Sequence, residues 1–252
     1  MNRVLRLVSV VLAVIVFVGA TCRRGPVQVT PVETMEIADE VYYHNVSITW
    51  DGSHYFTLNG GNDEWSRVNE YDEDGEFVTS YAPGIDGRTM FYNTAEETFY
   101  AKAYDTDLYT VDLDEEDYDS EEVGLFEEDQ TSVGFTPDGK RAFELEEGTV
   151  YVYDLDEREE VESFELERVY NEGGYGQAIA ACDKYLYVWG AENGIIVYDQ
   201  KGRFVTEFTL PREGFWASLS WCNGMLWIAE DADAGDELGE GTWFGYKLKG
   251  LH

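Results

Sequence analysis

Basic residues are scarce in this chain of 252 residues, which carries 17 lysines and arginines against 52 aspartates and glutamates, for a formal net charge of −35. A surface this acidic repels phosphate backbones, and no basic stripe interrupts it, so we expect no nucleic-acid partner. Anionic lipid is disfavoured for the same reason. The excess of carboxylates is typical of proteins from high-salt habitats, where such groups stay hydrated and screened.

Histidine is rarer still, and none of the three pairs with another histidine or a cysteine at ligand spacing: His44, His54 and His252. The sequence therefore predicts no catalytic metal site. Calcium stays open as a cofactor because acidic clusters abound. Asp72 and Asp74 resemble the start of a calcium loop, although a hairpin turn is the simpler interpretation.

A nucleophile motif is also missing. No Gly-x-Ser-x-Gly elbow occurs, and no serine, histidine and acid can be grouped from spacing alone. We therefore predict no catalytic residue from the sequence.

Long hydrophobic runs are limited to residues 7–18, which follow Arg3 and Arg6 and lead into small residues. A membrane-spanning helix needs about 20 apolar residues, so a cleavable signal peptide over residues 1–21 is the better interpretation. Cys22 then stands where a bacterial lipoprotein signal places its acylated cysteine, and residues 22–31 form a tether. We expect an extracytoplasmic protein, in the periplasm, on the cell surface or secreted, with membrane contact only through a lipid anchor at Cys22.

Aromatic residues, by contrast, are plentiful, with 18 Tyr, 13 Phe and 7 Trp, and they favour strands over helices. Five turns recur at a spacing of about 40 to 45 residues, that of a four-stranded propeller blade. They are Trp50-Asp51-Gly52, Asn93-Thr94-Ala95, Pro137-Asp138-Gly139, Cys182-Asp183-Lys184 and Cys222-Asn223-Gly224. The repeat predicts an all-β, five-bladed β-propeller of four-stranded antiparallel blades over residues 32–249.

The last repeat has only three strands before the chain ends. Residues 32–37 precede blade one without a blade of their own, so we expect them to pair with residues 242–248 and close the ring. In the least regular repeat, blade two, the fourth strand is predicted at residues 121–126. The acidic stretch 112–122 is interpreted as a solvated loop, and residues 231–240 as an acidic insertion that reaches over one face.

Cys182 and Cys222 occupy equivalent turns of neighbouring blades. Export would permit a disulfide between them, and two buried free thiols are the alternative.

The chain resembles bacterial exported β-propeller repeat proteins. The likeness depends on Phe135-Thr136-Pro137-Asp138-Gly139-Lys140, on residues 48–55 and on the Tyr-Asp-x-x-Gly hairpins, and covers nearly everything after the tether. These motifs are structural, so the resemblance implies a binding or interaction scaffold for a protein, peptide or glycan rather than an enzyme.

Residues 172–176 and 213–216 look faintly like the Glu-Gly and Trp-rich segments of the five-bladed glutaminyl cyclotransferases. That likeness implies an alternative, an exported enzyme with Glu172 or Glu213 as acid or base. Sugar-lactone hydrolases are propellers too, but their metal site needs carboxylate and asparagine ligands from several blades.

The loops that lead into the innermost strands gather at one mouth of a propeller channel, where ligands usually bind. Seven polar and aromatic residues fall there, and we predict that they contact the ligand: His44, Asn45, Arg88, Gln130, Tyr175, Gln177 and Trp216. The alternative is that His44, Gln130 and Gln177 merely satisfy loop backbone groups.

Overall fold

The computed structural model describes residues 27–170, 178–235 and 237–251, and in these ranges twenty strands form five four-stranded antiparallel sheets. The predicted all-β, five-bladed propeller is confirmed. Within the same ranges, no helix is long and apolar enough to cross a membrane.

The strands follow one another blade by blade. The chain opens with β1 (Thr30–Tyr42) and continues into blade one, β2 (His44–Trp50), β3 (Tyr55–Gly60), β4 (Val68–Tyr71) and β5 (Phe77–Tyr81). Blade two holds β6 (Gly87–Asn93), β7 (Thr98–Ala103), β8 (Leu108–Asp112) and β9 (Asp117–Glu122). Blade three holds β10 (Val133–Phe135), β11 (Arg141–Glu146), β12 (Thr149–Asp154) and β13 (Glu159–Glu165). Blade four holds β14 (Ile179–Ala181), β15 (Tyr185–Trp189), β16 (Gly194–Asp199) and β17 (Phe204–Thr209). Blade five ends the chain with β18 (Ser220–Cys222), β19 (Met225–Glu230) and β20 (Leu238–Lys249).

The ring closes as the sequence predicts. Strand β1 pairs antiparallel with β20, from Thr30 opposite Lys249 to Tyr42 opposite Leu238, and so supplies the fourth strand of blade five. The pairing is longer than the predicted one and contains a register shift between Glu33 and Met35. This ladder covers the outer edge of β20 and joins the two ends of the propeller by hydrogen bonds.

The predicted bounds of the fourth strand of blade two are wrong. The strand spans Asp117–Glu122 rather than residues 121–126, and the acidic stretch 112–122 is not a loop but the end of β8, the turn and all of β9. Nearly all of its side chains are exposed, so its carboxylates remain in water while its backbone pairs with β8. Leu125 and Phe126, which suggested the later strand, are buried instead against blade three.

The repeated Tyr-Asp pair has two separate structural roles. Its tyrosine ends the third strand of a blade and is buried, as at Tyr71 and Tyr198. Its aspartate caps the next turn, since the Asp72 and Asp199 carboxylates each accept two backbone N–H groups of the following residues. The calcium-like sequence at Asp72 therefore forms a hairpin turn, the interpretation favoured above.

The core consists of five apolar clusters, and each lies between two neighbouring blades. Cys182 and Cys222 belong to this packing as free thiols. Burial raises the pKa of the Cys222 thiol. The free-thiol alternative is therefore the one that the structure supports.

Along the axis, the inner strands approach one another so closely that hydroxyl groups bond across blades. Met90 donates its N–H to Ser47 Oγ (3.0 Å), and Val133 donates to Thr89 Oγ1 (2.9 Å). Only about 20 Å³ of space remains among the inner strands, about enough for one water molecule. Among the described residues, the inner strands therefore pack too closely to hold a ligand larger than water.

Candidate functional site

At one mouth of the ring, a cavity of about 440 Å³ opens among loops of blades one, two, three and five. Its lining combines polar groups with aromatic and small apolar ones: His44, Val46, Gly60, Gly61, Asp86, Arg88, Tyr104, Gln130, Phe215, Trp216 and Ala217. The size is within the range of small-molecule and peptide side-chain sites.

His44 is fixed from two sides. It begins β2 directly after Tyr43, whose φ of 60° turns the chain into the strand. Its Nδ1 lies 2.7 Å from Asp231 Oδ2, and its ring stacks on Phe215 with centroids 5.0 Å apart. The hydrogen bond to Asp231 raises the pKa of His44 despite the opposing effect of burial.

Asp231 reaches His44 because the segment after β19 runs back along the start of blade one. Tyr43 donates its N–H to Gly235 O at 3.2 Å, and Ala234 donates its N–H to Tyr43 O at 3.2 Å. Asn45 N–H donates to Asp231 Oδ1 at 3.1 Å. The predicted acidic insertion thus reaches over the mouth and supplies a carboxylate to it.

Asn45 lies beneath this arrangement rather than in the cavity. Its side chain is fully buried, donates to Asp39 Oδ2 (2.8 Å) and accepts from Ala232 N–H (3.1 Å). It therefore holds two parts of the chain together, and the structure gives it no surface to offer a ligand.

Arg88 crosses the other side of the cavity. Its Nη1 donates to Asp86 Oδ1 at 2.8 Å and to Gly87 O at 3.0 Å, and the guanidinium lies 4.7 Å from the centroid of the Tyr104 ring. The close approach requires glycine at position 60, because a Cβ there would collide with Gly87 O and come within 2.9 Å of Arg88 Nη1. Asp86, Gly87 O and the Tyr104 ring together fix the position of the guanidinium.

Gln130 lies on the loop that leads into β10, and its Nε2 donates to Tyr104 OH at 2.8 Å. A buried carboxylate holds this loop: Glu144 accepts the N–H groups of Glu127 (2.8 Å) and Glu128 (3.2 Å) and a hydrogen bond from Thr131 Oγ1. Gln130 is therefore positioned by a residue that does not itself line the cavity.

Lys102 is the second buried charge behind the same loop. Its side chain is 0% exposed, and Nζ donates to Asp129 O at 3.0 Å. Desolvation lowers the pKa of Lys102 to about 8, and Arg88 adds to the lowering, whereas Glu144, Asp105 and Asp129 oppose it.

Aromatic residues of blade five form the remaining wall. Phe215 donates its N–H to Ala229 O at 2.7 Å, and its ring lies 5.2 Å from that of Trp216. Trp216 is 47% exposed, so part of its surface is accessible to a bound group.

Four of the seven predicted residues therefore line one cavity: His44, Arg88, Gln130 and Trp216. Tyr175, Gln177 and Glu172 lie outside the described residues, and Glu213 is exposed without lining the cavity. Asp86 and Phe215 lie in the same predicted entry loops as Arg88 and Trp216, and Asp231 lies in the acidic insertion predicted to reach over one face. Tyr104 follows a second strand, where the sequence marks a loop but does not single out this residue.

Comparisons with known proteins support the architecture. No protein-family model matches the chain, and no curated protein matches it. Among solved structures, the chain is similar to the crystal structure of Myxococcus xanthus glutaminyl cyclase, with a TM-score of 0.59 and 11% sequence identity, over 90% of this chain and 100% of that one. At this identity the likeness concerns the fold alone.

Proposed function

We propose that this protein is an extracytoplasmic, non-catalytic β-propeller that binds a protein, peptide or glycan partner at the mouth cavity, with Cys22 as the candidate acylation site. Export and anchoring are supported by the charged and apolar pattern of residues 1–22. Binding is supported by one observation above all, the convergence of His44, Arg88, Gln130 and Trp216 on an open cavity.

The cavity fits a peptide segment best. Phe215, Trp216 and Val46 provide an apolar surface for one side chain, while Asp86, Arg88 and Gln130 offer donors and acceptors for the adjoining backbone. Because the described inner strands pack closely behind the cavity, the ligand would enter from the open face and leave the same way. A rigid site of this kind loses little entropy on binding.

Binding can be tested on peptide and glycan arrays with the purified protein and Trp216→Ala. We expect peptides with one aromatic or aliphatic side chain to be retained by the wild type, with affinity lowered roughly tenfold or more by loss of the stacking surface. Phe77→Ala is the matched control, since Phe77 is 60% exposed on the outer strand β5, away from the cavity.

Retention that Trp216→Ala leaves unchanged, or that Phe77→Ala abolishes equally, would exclude the cavity as the binding site. Retention of glycans alone would reject the peptide as the ligand while keeping the cavity.

A second candidate is an exported enzyme of glutaminyl cyclotransferase or lactone hydrolase type. What favours it is a roomy cavity with inward polar groups, Asp86, His44 and Gln130, on a fold shared with a glutaminyl cyclase. Turnover of N-terminal glutaminyl peptides or of lactones, with and without calcium, would establish it. Loss of that turnover in His44→Gln or Asp86→Asn would then locate the reaction in the cavity.

A further inference from the structure

We propose that His44, Asp231 and Asp233 form a site for a divalent transition-metal ion, with Zn²⁺ as its probe, at the rim of the mouth cavity. Each residue offers one ligand atom, and the three atoms lie within 4.8 Å of one another. The metal site shares His44 with the cavity but does not depend on peptide binding, and each proposal can fail without the other.

The spacing suits a small ion. Zn²⁺ binds imidazole nitrogen and carboxylate oxygen at about 2.0–2.2 Å, so two ligand atoms on one ion lie at most about 4.4 Å apart. His44 Nδ1 and Asp231 Oδ2 share a hydrogen bond of 2.7 Å, so the ion would take the place of the shared proton, which is released to solvent, and would move the two atoms slightly apart. Asp233 is exposed, so its side chain can close the remaining few tenths of an ångström without disturbing the core.

Two of the donors are held in place before any ion arrives. Stacking on Phe215 fixes the plane of the His44 ring. Asp231 uses its other oxygen, Oδ1, to accept the Asn45 N–H, and Asn45 is itself bonded to the buried Asp39. Such supporting bonds orient metal ligands and raise affinity, because less freedom is lost when the ion binds.

The donor set selects the class of ion. Calcium and magnesium prefer oxygen ligands, whereas an imidazole with carboxylates suits zinc or manganese. Carboxylates are common on this surface, so the histidine nitrogen is what distinguishes the cluster from the other acidic stretches. His54 provides the contrast, because its Nδ1 has one carboxylate nearby, that of Glu70 at 3.8 Å.

Three protein donors leave coordination positions for water or for an oxygen of a ligand. His44 belongs both to the cluster and to the cavity lining, so an ion here would border the cavity. It would add a positive charge at a rim that carries Asp86, Asp231 and Asp233.

The test is calorimetric titration of the purified full chain with Zn²⁺ at high salt, in the wild type, His44→Gln, Asp231→Asn and Asp233→Asn. We expect one tight site in the wild type and roughly tenfold or greater weakening in each variant. His54→Gln is the matched control and should keep the site. Excess Ca²⁺ should not displace Zn²⁺.

Asp233→Asn keeps the test decisive if the other variants fold poorly, since its side chain is exposed. Unchanged Zn²⁺ affinity in Asp233→Asn and His44→Gln, an equal loss in His54→Gln, or displacement of Zn²⁺ by Ca²⁺ would each overturn the proposal.

Discussion

Asp39 and Glu144 are two buried carboxylates with nearly the same hydrogen-bonding environment, but they hold different parts of the chain in place. Asp39 accepts hydrogen bonds from Asn45 Nδ2, Asn69 Nδ2, Tyr71 OH and Trp243 Nε1, at 2.6 to 3.0 Å. Glu144 also has four donors, among them Tyr153 OH at 2.6 Å. In both cases a tyrosine from the third strand of a blade is one of the partners.

The two carboxylates differ in where their remaining donors come from. Asp39 lies on the closing strand β1, and its donors are side chains of β2, β4 and β20, so it joins the first and last blades. Glu144 holds backbone and hydroxyl groups of residues 127–131, the loop that places Gln130 at the cavity. A buried carboxylate with four donors thus stabilises the closure of the ring at Asp39 and the cavity loop at Glu144.

The largest effect is expected for Asp39→Asn. The amide keeps one acceptor oxygen and replaces the other by a donor, so two of the four donors lose their partner or face an N–H group. We expect the free energy of unfolding to fall by about 3–5 kcal/mol, as when a buried charged network is broken. Chemical denaturation measures it, with Asp74→Asn on an exposed turn as the control.

A loss below about 1 kcal/mol in Asp39→Asn would mean that the ladder between β1 and β20 closes the ring without help from the buried carboxylate.

Lys102→Met examines the buried charge beside Glu144, and its effect depends on pH. Burial lowers the pKa of Lys102 in the folded state to about 8, from its ordinary value of 10.5, so the wild type bears the full cost of burying the ammonium below pH 8. As pH rises from about 8 to 10.5, the folded protein has released the proton and the unfolded chain has not. The stability of the wild type relative to Lys102→Met should therefore rise by about 3 kcal/mol.

Urea unfolding of both proteins across that pH range gives the change of the free energy of unfolding with pH. Lys140→Met, at an exposed position, provides the control. Parallel pH profiles for the wild type and Lys102→Met would show that the ammonium is better solvated than its burial indicates.

Glu144→Gln should have a smaller and more local effect than Asp39→Asn. Glu127 is exposed and Glu128 half-buried, so N–H groups released from Glu144 can turn to water. We expect about 1–3 kcal/mol of destabilisation and faster hydrogen exchange at Glu127 and Glu128. Exchange in the β1–β20 ladder should not change, and a global increase would instead make Glu144 a second ring-closing residue.

The fold could be predicted because its determinants are local. Alternating residues and the Asp-capped turns at Asp72 and Asp199 mark most strands directly, and the three-stranded last repeat implies the closing strand. The bounds of strand β9 could not be predicted, because its side chains are exposed except for the half-buried Glu122. Its sequence therefore shows no alternation of apolar and polar residues. Only backbone pairing with β8 defines it.

The site could be predicted only in part. The loops that lead into inner strands predicted four residues of the cavity lining: His44, Arg88, Gln130 and Trp216. They could not show that Asp231 meets His44 across 187 residues, since that contact depends on the path of an insertion. The sequence does carry a signal for Lys102, because this lysine stands between Ala101 and Ala103 in a strand rich in apolar residues, and all three are buried.

The smallest effect is expected for Gln130→Ala, which alters the cavity rim without touching the carboxylate behind it. Removing the 2.8 Å bond to Tyr104 from a partly exposed side chain should change stability by no more than about 0.5 kcal/mol. Hydrogen exchange at Glu127 and Glu128 should stay at the wild-type rate, in contrast to Glu144→Gln. If Gln130→Ala speeds exchange in the loop as much as Glu144→Gln does, then the contact with Tyr104 holds the loop. Glu144 would then not fix the site in the way that Asp39 fixes the ring.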